Sequence, residues 1–452
     1  MTRTLATGTP RVAAALERLQ MRTPRALAAR ERGEQLLASE VVPTFSMPTP
    51  VYIESGEGAY LTDIDGNRYL DLAMGFGAQI LGHRPERVER AMREQIGRGW
   101  HTVLPNTLQH ELTELLNEAA PCAELTILAN SGTEATMYGM RVARAFTGKK
   151  RVGIFGGAYH GTHDYALTQD DPKSPQAAPF ANTIGRGVPD VVRDETVTIL
   201  PYLSDAAFEI IQRYKDELAC IIIQPVQNTI PRLDVGEFLA DLRLVCDECD
   251  VLLMFDEVIT GFRMAYAGGQ GYFGVTPDLA SFGKIIGGGT PVGAVCGRAD
   301  IMSMFSKAGS RGVFSGGTFS GNPLTMAAGT ATLRYLKERE GTLYPSLEAR
   351  SNRLADAVNG YCYENEMDVT LLSAGSIQCF HFVKGEVGTL RQAFPPNRKA
   401  EGAFYLHVLD RGVLVPGVHV YFVSDAHTDD HIDQIIGVFI EALDECRADE
   451  LL

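Results

Sequence analysis

Between about residues 125 and 300, short apolar runs alternate with longer stretches of helical period. The runs are LTILA, RVGIF, VTILPY, CIIIQ, VLLMF and PVGAVC, and helices are expected after the first, third and fourth, the first of them reaching Phe146. A strand whose two faces are both covered needs no polar alternation, so this pattern predicts a mainly parallel sheet wrapped by helices, an α/β fold. Ligands of such sheets bind beyond the carboxyl ends of the strands. A second pattern starts near residue 332 and mixes helices with strands such as SIQCFHFV and VLVP, which predicts a smaller α+β domain. Its last helix is the clearest. Thr428 is the expected N-cap, Asp429 and Asp430 occupy the first turn, and Ile432, Ile435, Ile436, Phe439, Ile440 and Leu443 form one apolar stripe. The expected division is an N-terminal segment over 1–76, a large domain over 77–331 and a small domain over 332–452. The stretch 168–190, rich in Pro, Gly and Ala and without apolar periodicity, is expected to be a surface or active-site loop.

Composition narrows the function. The chain has 452 residues, enough for one large and one smaller domain, with 45% hydrophobic and 21% charged residues. No apolar run approaches the length of a membrane span. A net charge of -15 opposes binding to a nucleic-acid backbone and favours small-molecule chemistry. The eight cysteines are scattered rather than framed for disulfides, which fits reduced thiols and a cytoplasmic setting. Cys246 and Cys249 form a lone CxxC without a second pair or a histidine at metal spacing, so no metal site is expected. Residues 1–30 carry six arginines against one acid, Glu17, in a helix-capable stretch. A helical extension is preferred there over a transit peptide.

Several residues suggest chemistry. Asn130-Ser131-Gly132-Thr133-Glu134 follows a strand and opens a helix, where free N–H groups and the helix dipole suit a phosphate; the same residues also satisfy a capping box. In VLLMFDEVITGFR the apolar strand runs into Asp256, a carboxylate that needs a cationic or hydrogen-bonding partner at the mouth of a dry core. A protonated pyridine nitrogen would serve. Lys284 stands before Gly287, Gly288 and Gly289, which leave room for a flat ligand, and a desolvated amine there would lose its proton readily. Tyr159-His160 suggests an aromatic lid, preferred over a metal pair of His160 with His163. Thr318 lies in a Gly-rich turn before a helix. No G-x-G-x-x-G follows a strand and no G-x-x-x-x-G-K-[ST] is present, which removes the usual signatures of nicotinamide and P-loop enzymes.

Taken in order, GEGAYLTDIDGNRYLDL, LGH, NSGTEATMYGMRVARAFTG, GGAYHG, MFDEVITGFR, PDLASFGKIIGGGTPVGA, SGGTFSGNPLTMAAG and the Ser-x-Ala-His-Thr ending resemble the class III aminotransferases of fold type I, and most closely their glutamate-1-semialdehyde 2,1-aminomutase subgroup. The resemblance implies a mainly parallel sheet of seven-stranded type and pyridoxal 5'-phosphate as cofactor. It makes Lys284 the Schiff-base lysine, Asp256, 28 positions earlier, the pyridinium partner, and Val258 a residue packed behind the ring. Ser131, Gly132 and Thr133 would hold the phosphate, and Tyr159 with His160 would border the ring. Thr318 would reach the phosphate of a neighbouring subunit in a homodimer with shared sites. The chain also departs from the family. Gln224-Pro225 stands where Glu-Pro is usual, His419-Val420-Tyr421-Phe422 replaces Glu-Ala-x-Phe of the semialdehyde enzymes, and ASEVVPTFSMPTPVY lacks an arginine that several relatives use to grip a carboxylate. The expected activity is therefore transfer of an amino group from an amino-acid donor to a ketone, aldehyde or β-keto acid, with an aminomutase or racemase on the same scaffold as the alternatives.

Overall fold

The structure is a computed structural model that describes residues 8–39, 49–171, 174–175, 179–306, 312–415 and 420–452. These residues form two compact units. One comprises Glu86–Tyr344 with Thr389–Arg391, and the other Met1–Pro85, Pro345–Gly388 and Gln392–Leu452.

The first unit is built on seven strands: β1 (Leu125–Ala129), β2 (Arg151–Phe155), β3 (Val197–Leu200), β4 (Leu218–Ile223), β5 (Leu252–Asp256), β6 (Leu279–Gly283) and β7 (Gly293–Gly297). Their order is β1-β7-β6-β5-β4-β2-β3. Only β7 runs against the rest, antiparallel to both β6 and β1. Every residue of β4 and β5 is buried, which is why those segments read as unbroken apolar runs. The strand LASFG was not among the apolar runs. Its Ala, Ser and Gly have low strand propensity, and it is held as β6 by pairing with β5 on one side and β7 on the other. The stretch 168–190 is also not wholly loop, because Thr168–Asp170 pairs antiparallel with Ala181–Thr183.

Three helices of this unit bear on the strand ends: α1 (Thr107–Ala119), α2 (Gly132–Thr147) and α3 (Pro323–Glu338). Two glycines set how closely they pack. A Cβ on Gly139 of α2 would lie 2.3 Å from the Met254 methyl of β5, and one on Gly329 of α3 would lie 2.1 Å from the Ile286 carbonyl oxygen. The second approach fixes α3 against the 3₁₀ turn Lys284–Gly287.

In the other unit, Thr370–Ala374, Ile377–His381 and Tyr421–Phe422 form a three-stranded antiparallel sheet. Phe380 of this sheet packs among Phe404, Tyr421 and Phe439. The C-terminal helix, Asp429–Ala448, buries Ile432, Ile435, Phe439 and Leu443, and Thr428 caps it by accepting the His431 N–H. Arg11, Arg18, Arg22, Arg25 and Arg30 lie on helices too, where Arg11 pairs with Glu445 and Arg18 with Asp410, and Arg3 lies outside the described residues. Among the described residues no helix is long and apolar enough to cross a membrane.

Gly329→Ala is expected to destabilise the protein by about 1–3 kcal/mol, because the neighbour is backbone and cannot turn aside. Gly341→Ala, at a helical site where a Cβ meets nothing within 4 Å, should instead stabilise by about 0.4–1 kcal/mol. Urea unfolding midpoints of the two variants check both signs.

Candidate active site

At the carboxyl ends of these strands lies a cavity of about 430 Å³, lined by residues that follow β1, β2, β4, β5 and β6. Ser131, Gly132, Thr133, Tyr159, His160, Gln224, Asp256, Val258 and Lys284 all border it. Thr318 does not. It is exposed in the segment 312–320, and the geometry of this chain alone gives it no part in the cavity.

The turn after β1 serves two purposes. Ser131 is the N-cap of α2 and its Oγ accepts the Glu134 N–H at 3.1 Å, while the Glu134 carboxylate accepts the Asn130 N–H at 2.6 Å. The side chains thus form the Ser131 half of the capping box, while the Glu134 carboxylate reaches Asn130 rather than Ser131. The N–H groups of Gly132 and Thr133, in the first turn, have no intrahelical partner and remain for an anion. Glycines keep the turn narrow. A Cβ on Gly132 would meet Val258 Cγ1 at 2.8 Å, and one on Gly293 would meet the Ser131 carbonyl oxygen at 2.1 Å. Gly161, at φ +108°, would drive a Cβ to 2.7 Å from Thr133 Oγ1. The cradle has room for a ligand only because these side chains are missing.

Asp256 ends β5 and is 3% exposed. Its Oδ2 lies 2.7 Å from His160 Nδ1, and its Oδ1 accepts the Val258 N–H at 3.1 Å and the Ser281 hydroxyl at 3.2 Å. The next residue, Glu257, points elsewhere. It accepts from Thr260, Gly269 and Gln270, and burial raises its pKa. Of two adjacent carboxylates, only Asp256 borders the cavity. His160 is buried against Asp256 rather than laid over the opening, and its Nε2 has no partner. Tyr159, 48% exposed, forms that part of the rim, and burial followed by Asp256 raises the pKa of its phenol.

Lys284 follows β6 with φ +49°, a left-handed conformation that costs a non-glycine residue free energy. The Gly288 and Gly289 turn behind it also has positive φ. Burial pushes the Lys284 ammonium down to about 8, against the attraction of Asp256, and Arg263 lowers it further. Gln224, 4% exposed, follows β4 and has its amide oxygen unpartnered.

Sequence reasoning missed Ser281 and Thr136. Ser281 sits directly beside Asp256 in the β5–β6 register, so reading LASFG as a strand was the clue available. Thr136 donates its hydroxyl to the His160 carbonyl at 2.6 Å and lies 3.2 Å from His163 Nε2, a contact only the fold creates. His160 and His163 thus have separate partners. Cys246 and Cys249 are buried free thiols, and among the described residues no group of three or more His, Cys, Asp and Glu is placed to hold a metal. His419 and most of the segment at 38–52 that lacks the arginine lie outside the described residues.

Residues 41–443 match the family described as Aminotransferase class-III. The chain is 36% identical over 400 residues to a glutamate-1-semialdehyde 2,1-aminomutase of Methanocaldococcus jannaschii, covering 86% of this chain and 90% of that protein. Among solved structures, an ω-transaminase from Sphaerobacter thermophilus superposes with a TM-score of 0.88 at 32% identity, covering 95% of this chain and 99% of the other. A β-phenylalanine aminotransferase from Variovorax paradoxus gives a TM-score of 0.84 at 28% identity, with 97% and 98% covered. With a sheet of this order, strand-end residues of this kind and a match over most of its length, the chain belongs to the class III aminotransferases, pyridoxal-phosphate-dependent enzymes of fold type I.

Proposed function

We propose that the chain is an aminotransferase that takes an amino group from an amino-acid donor and delivers it to a ketone, aldehyde or β-keto acid in two half-reactions. The observation that carries this reading is the cavity that brings the Lys284 amine and the Asp256 carboxylate together with a buried, uncharged Gln224. Pyridoxal phosphate fits the residues present: a glycine-lined helix N-terminus for its phosphate, a buried carboxylate with acceptor capacity left for its ring nitrogen, and an amine poised to attach. When bound, that cofactor supplies an electron sink for negative charge on the carbon next to the transferred nitrogen.

The chain's own residues do the rest. Gly132 and Thr133 hold the phosphate by their N–H groups, with the positive end of α2 behind them. Asp256, oriented by the His160, Ser281 and Val258 contacts, would hold a proton on the ring nitrogen. Val258 and Tyr159, which line the same cavity, would pack against the ring. Lys284 would attach the cofactor and, when its amine is free, would accept and return a proton at Nζ; an amine with a pKa near 8 exchanges protons at neutral pH where an ordinary lysine would stay charged. Gln224 offers a hydrogen bond but no ion pair, which suits an acceptor with an uncharged group on that side.

A homodimer with Thr318 facing the partner's site completes the proposal. Its support is the run of exposed large apolar residues in the first unit, with Phe314 83%, Val103 82% and Leu104 72% exposed. The relatives named as aminomutases favour a second reading, rearrangement within a single substrate.

Turnover separates the two. With an amino donor alone, an aminotransferase should stop after one amine per site and resume when a carbonyl acceptor is added; steady turnover of one compound without acceptor would establish the aminomutase reading. Capture of cofactor by the apoprotein should rise with pH through about 8, since the raised-pH form is the free amine, and then level; a rise continuing to the ordinary lysine range would refute the role given to Lys284. Asp256→Asn should cost about 3–5 kcal/mol of catalysis, roughly two to four orders of magnitude in turnover, with cofactor still bound. Sedimentation should find a dimer, and an active monomer would exclude shared sites.

A further inference from the structure

A second cavity, of about 450 Å³, lies behind the first, with the Thr136 hydroxyl of the active-site wall 3.2 Å from its lining residue His163. Two arginines of α2, Arg141 and Arg144, also line it. Most arginines of this acidic chain are paired with carboxylates, but among the described residues Arg141 and Arg144 have none within ion-pair distance. Arg141 donates only to the Phe314 carbonyl oxygen, and Arg144 to that of Lys150. Arg144 lies 4.1 Å above the Tyr165 ring and is partly buried, its Nη2 has no hydrogen-bond partner, and burial lowers its pKa. A guanidinium removed from water without a counter-charge is costly, so an anion in the cavity would relieve a cost that the protein alone leaves standing.

The other polar groups narrow which anion. The Thr136 hydroxyl gives its proton to the His160 carbonyl oxygen at 2.6 Å, so it accepts from His163 Nε2. His163 is held neutral, its pKa lowered to about 4 by burial and then by His160 and Arg144. Its Nδ1 is therefore an acceptor, and it is unpartnered. The carboxylate of Asp164, also on the lining and without an ion pair among the described residues, is a second acceptor. A ligand must thus bring negative charge for two guanidiniums and a hydrogen-bond donor for two acceptors.

We propose that this cavity binds a protonated phosphate oxyanion, inorganic hydrogen phosphate or a small phosphate monoester, next to the active site and separate from the cofactor's phosphate cradle. Arginine forks match such oxygens, and Asp164 with His163 reads the phosphate hydroxyl, which sulfate lacks.

The test is titration calorimetry on cofactor-loaded protein, whose own cradle is filled, with inorganic phosphate, glycerol 2-phosphate and sulfate at neutral pH and low ionic strength. One site per chain is expected, with at least one of the phosphates about tenfold tighter than sulfate, and whichever of the two binds more tightly identifies the source as free phosphate or ester. Arg144→Gln should weaken phosphate about tenfold, and Arg141→Gln, at a more accessible position that does not threaten folding, should do the same. Asp164→Asn should remove the preference over sulfate while leaving binding intact. Sulfate binding as tightly as phosphate to the unaltered protein, phosphate affinity unchanged in both arginine variants, or no binding of any of the three would overturn the proposal. None of these outcomes depends on which amine the active site transfers.

Discussion

Asp256 ends a strand whose every residue is buried, and burying a carboxylate in that position is costly unless donors meet its oxygens. His160 comes from the segment after β2, the Ser281 hydroxyl from β6, and the Val258 N–H from the chain just beyond β5. Meeting the need of one carboxylate therefore requires β2, β5 and β6 to end at the same level. The order and direction of the sheet follow from that requirement as much as from its apolar faces, and the cavity is the space those ends enclose.

Close approach does the remaining positioning. Gly132, Gly161 and Gly293 sit where a methyl group would strike neighbouring atoms, so the segments after β1, β2 and β6 converge more tightly than side chains would permit. Lys284 occupies a left-handed conformation in the turn pressed by Gly329 of α3. Strain of this kind persists only where surrounding packing enforces it, and it aims the amine into the same space as Asp256. Burial then lowers the pKa of the amine, so the packing that builds the site also sets its chemistry.

Charge is distributed with equal economy. Glu257, beside Asp256, is consumed by Thr260 and two backbone N–H groups, whereas Asp256 retains capacity toward the cavity. Gln224 contributes polarity without charge. On the other side of Thr136, Arg141 and Arg144 hold positive charge with no carboxylate within ion-pair distance among the described residues. Two neighbouring cavities thus have opposite demands, one built around a carboxylate and an amine, the other around guanidiniums.

The unbroken apolar runs CIIIQ and VLLMF were legible as buried strands because a two-sided sheet needs no alternation, whereas LTILA forms a strand that is fully buried only at Ala129; Thr428 was legible as a cap because capping chemistry is local. Asp256 stood out as a charge ending an apolar run, whereas Lys284 beside its glycines gained weight only in company with the other strand-end residues in their family order. LASFG was not legible as a strand, since its weak propensity is overridden by neighbours far away in sequence. With that strand hidden, Ser281 could not be set beside Asp256, and nothing local told whether His160 faced an opening or a carboxylate. The sequence by itself determined which segments must be buried and which polar residues stand at their ends, because those depend on neighbours along the chain. Only the tertiary structure decided which of those residues meet, and which arginines are left unpaired, because pairing across strands depends on order and register that periodicity does not encode.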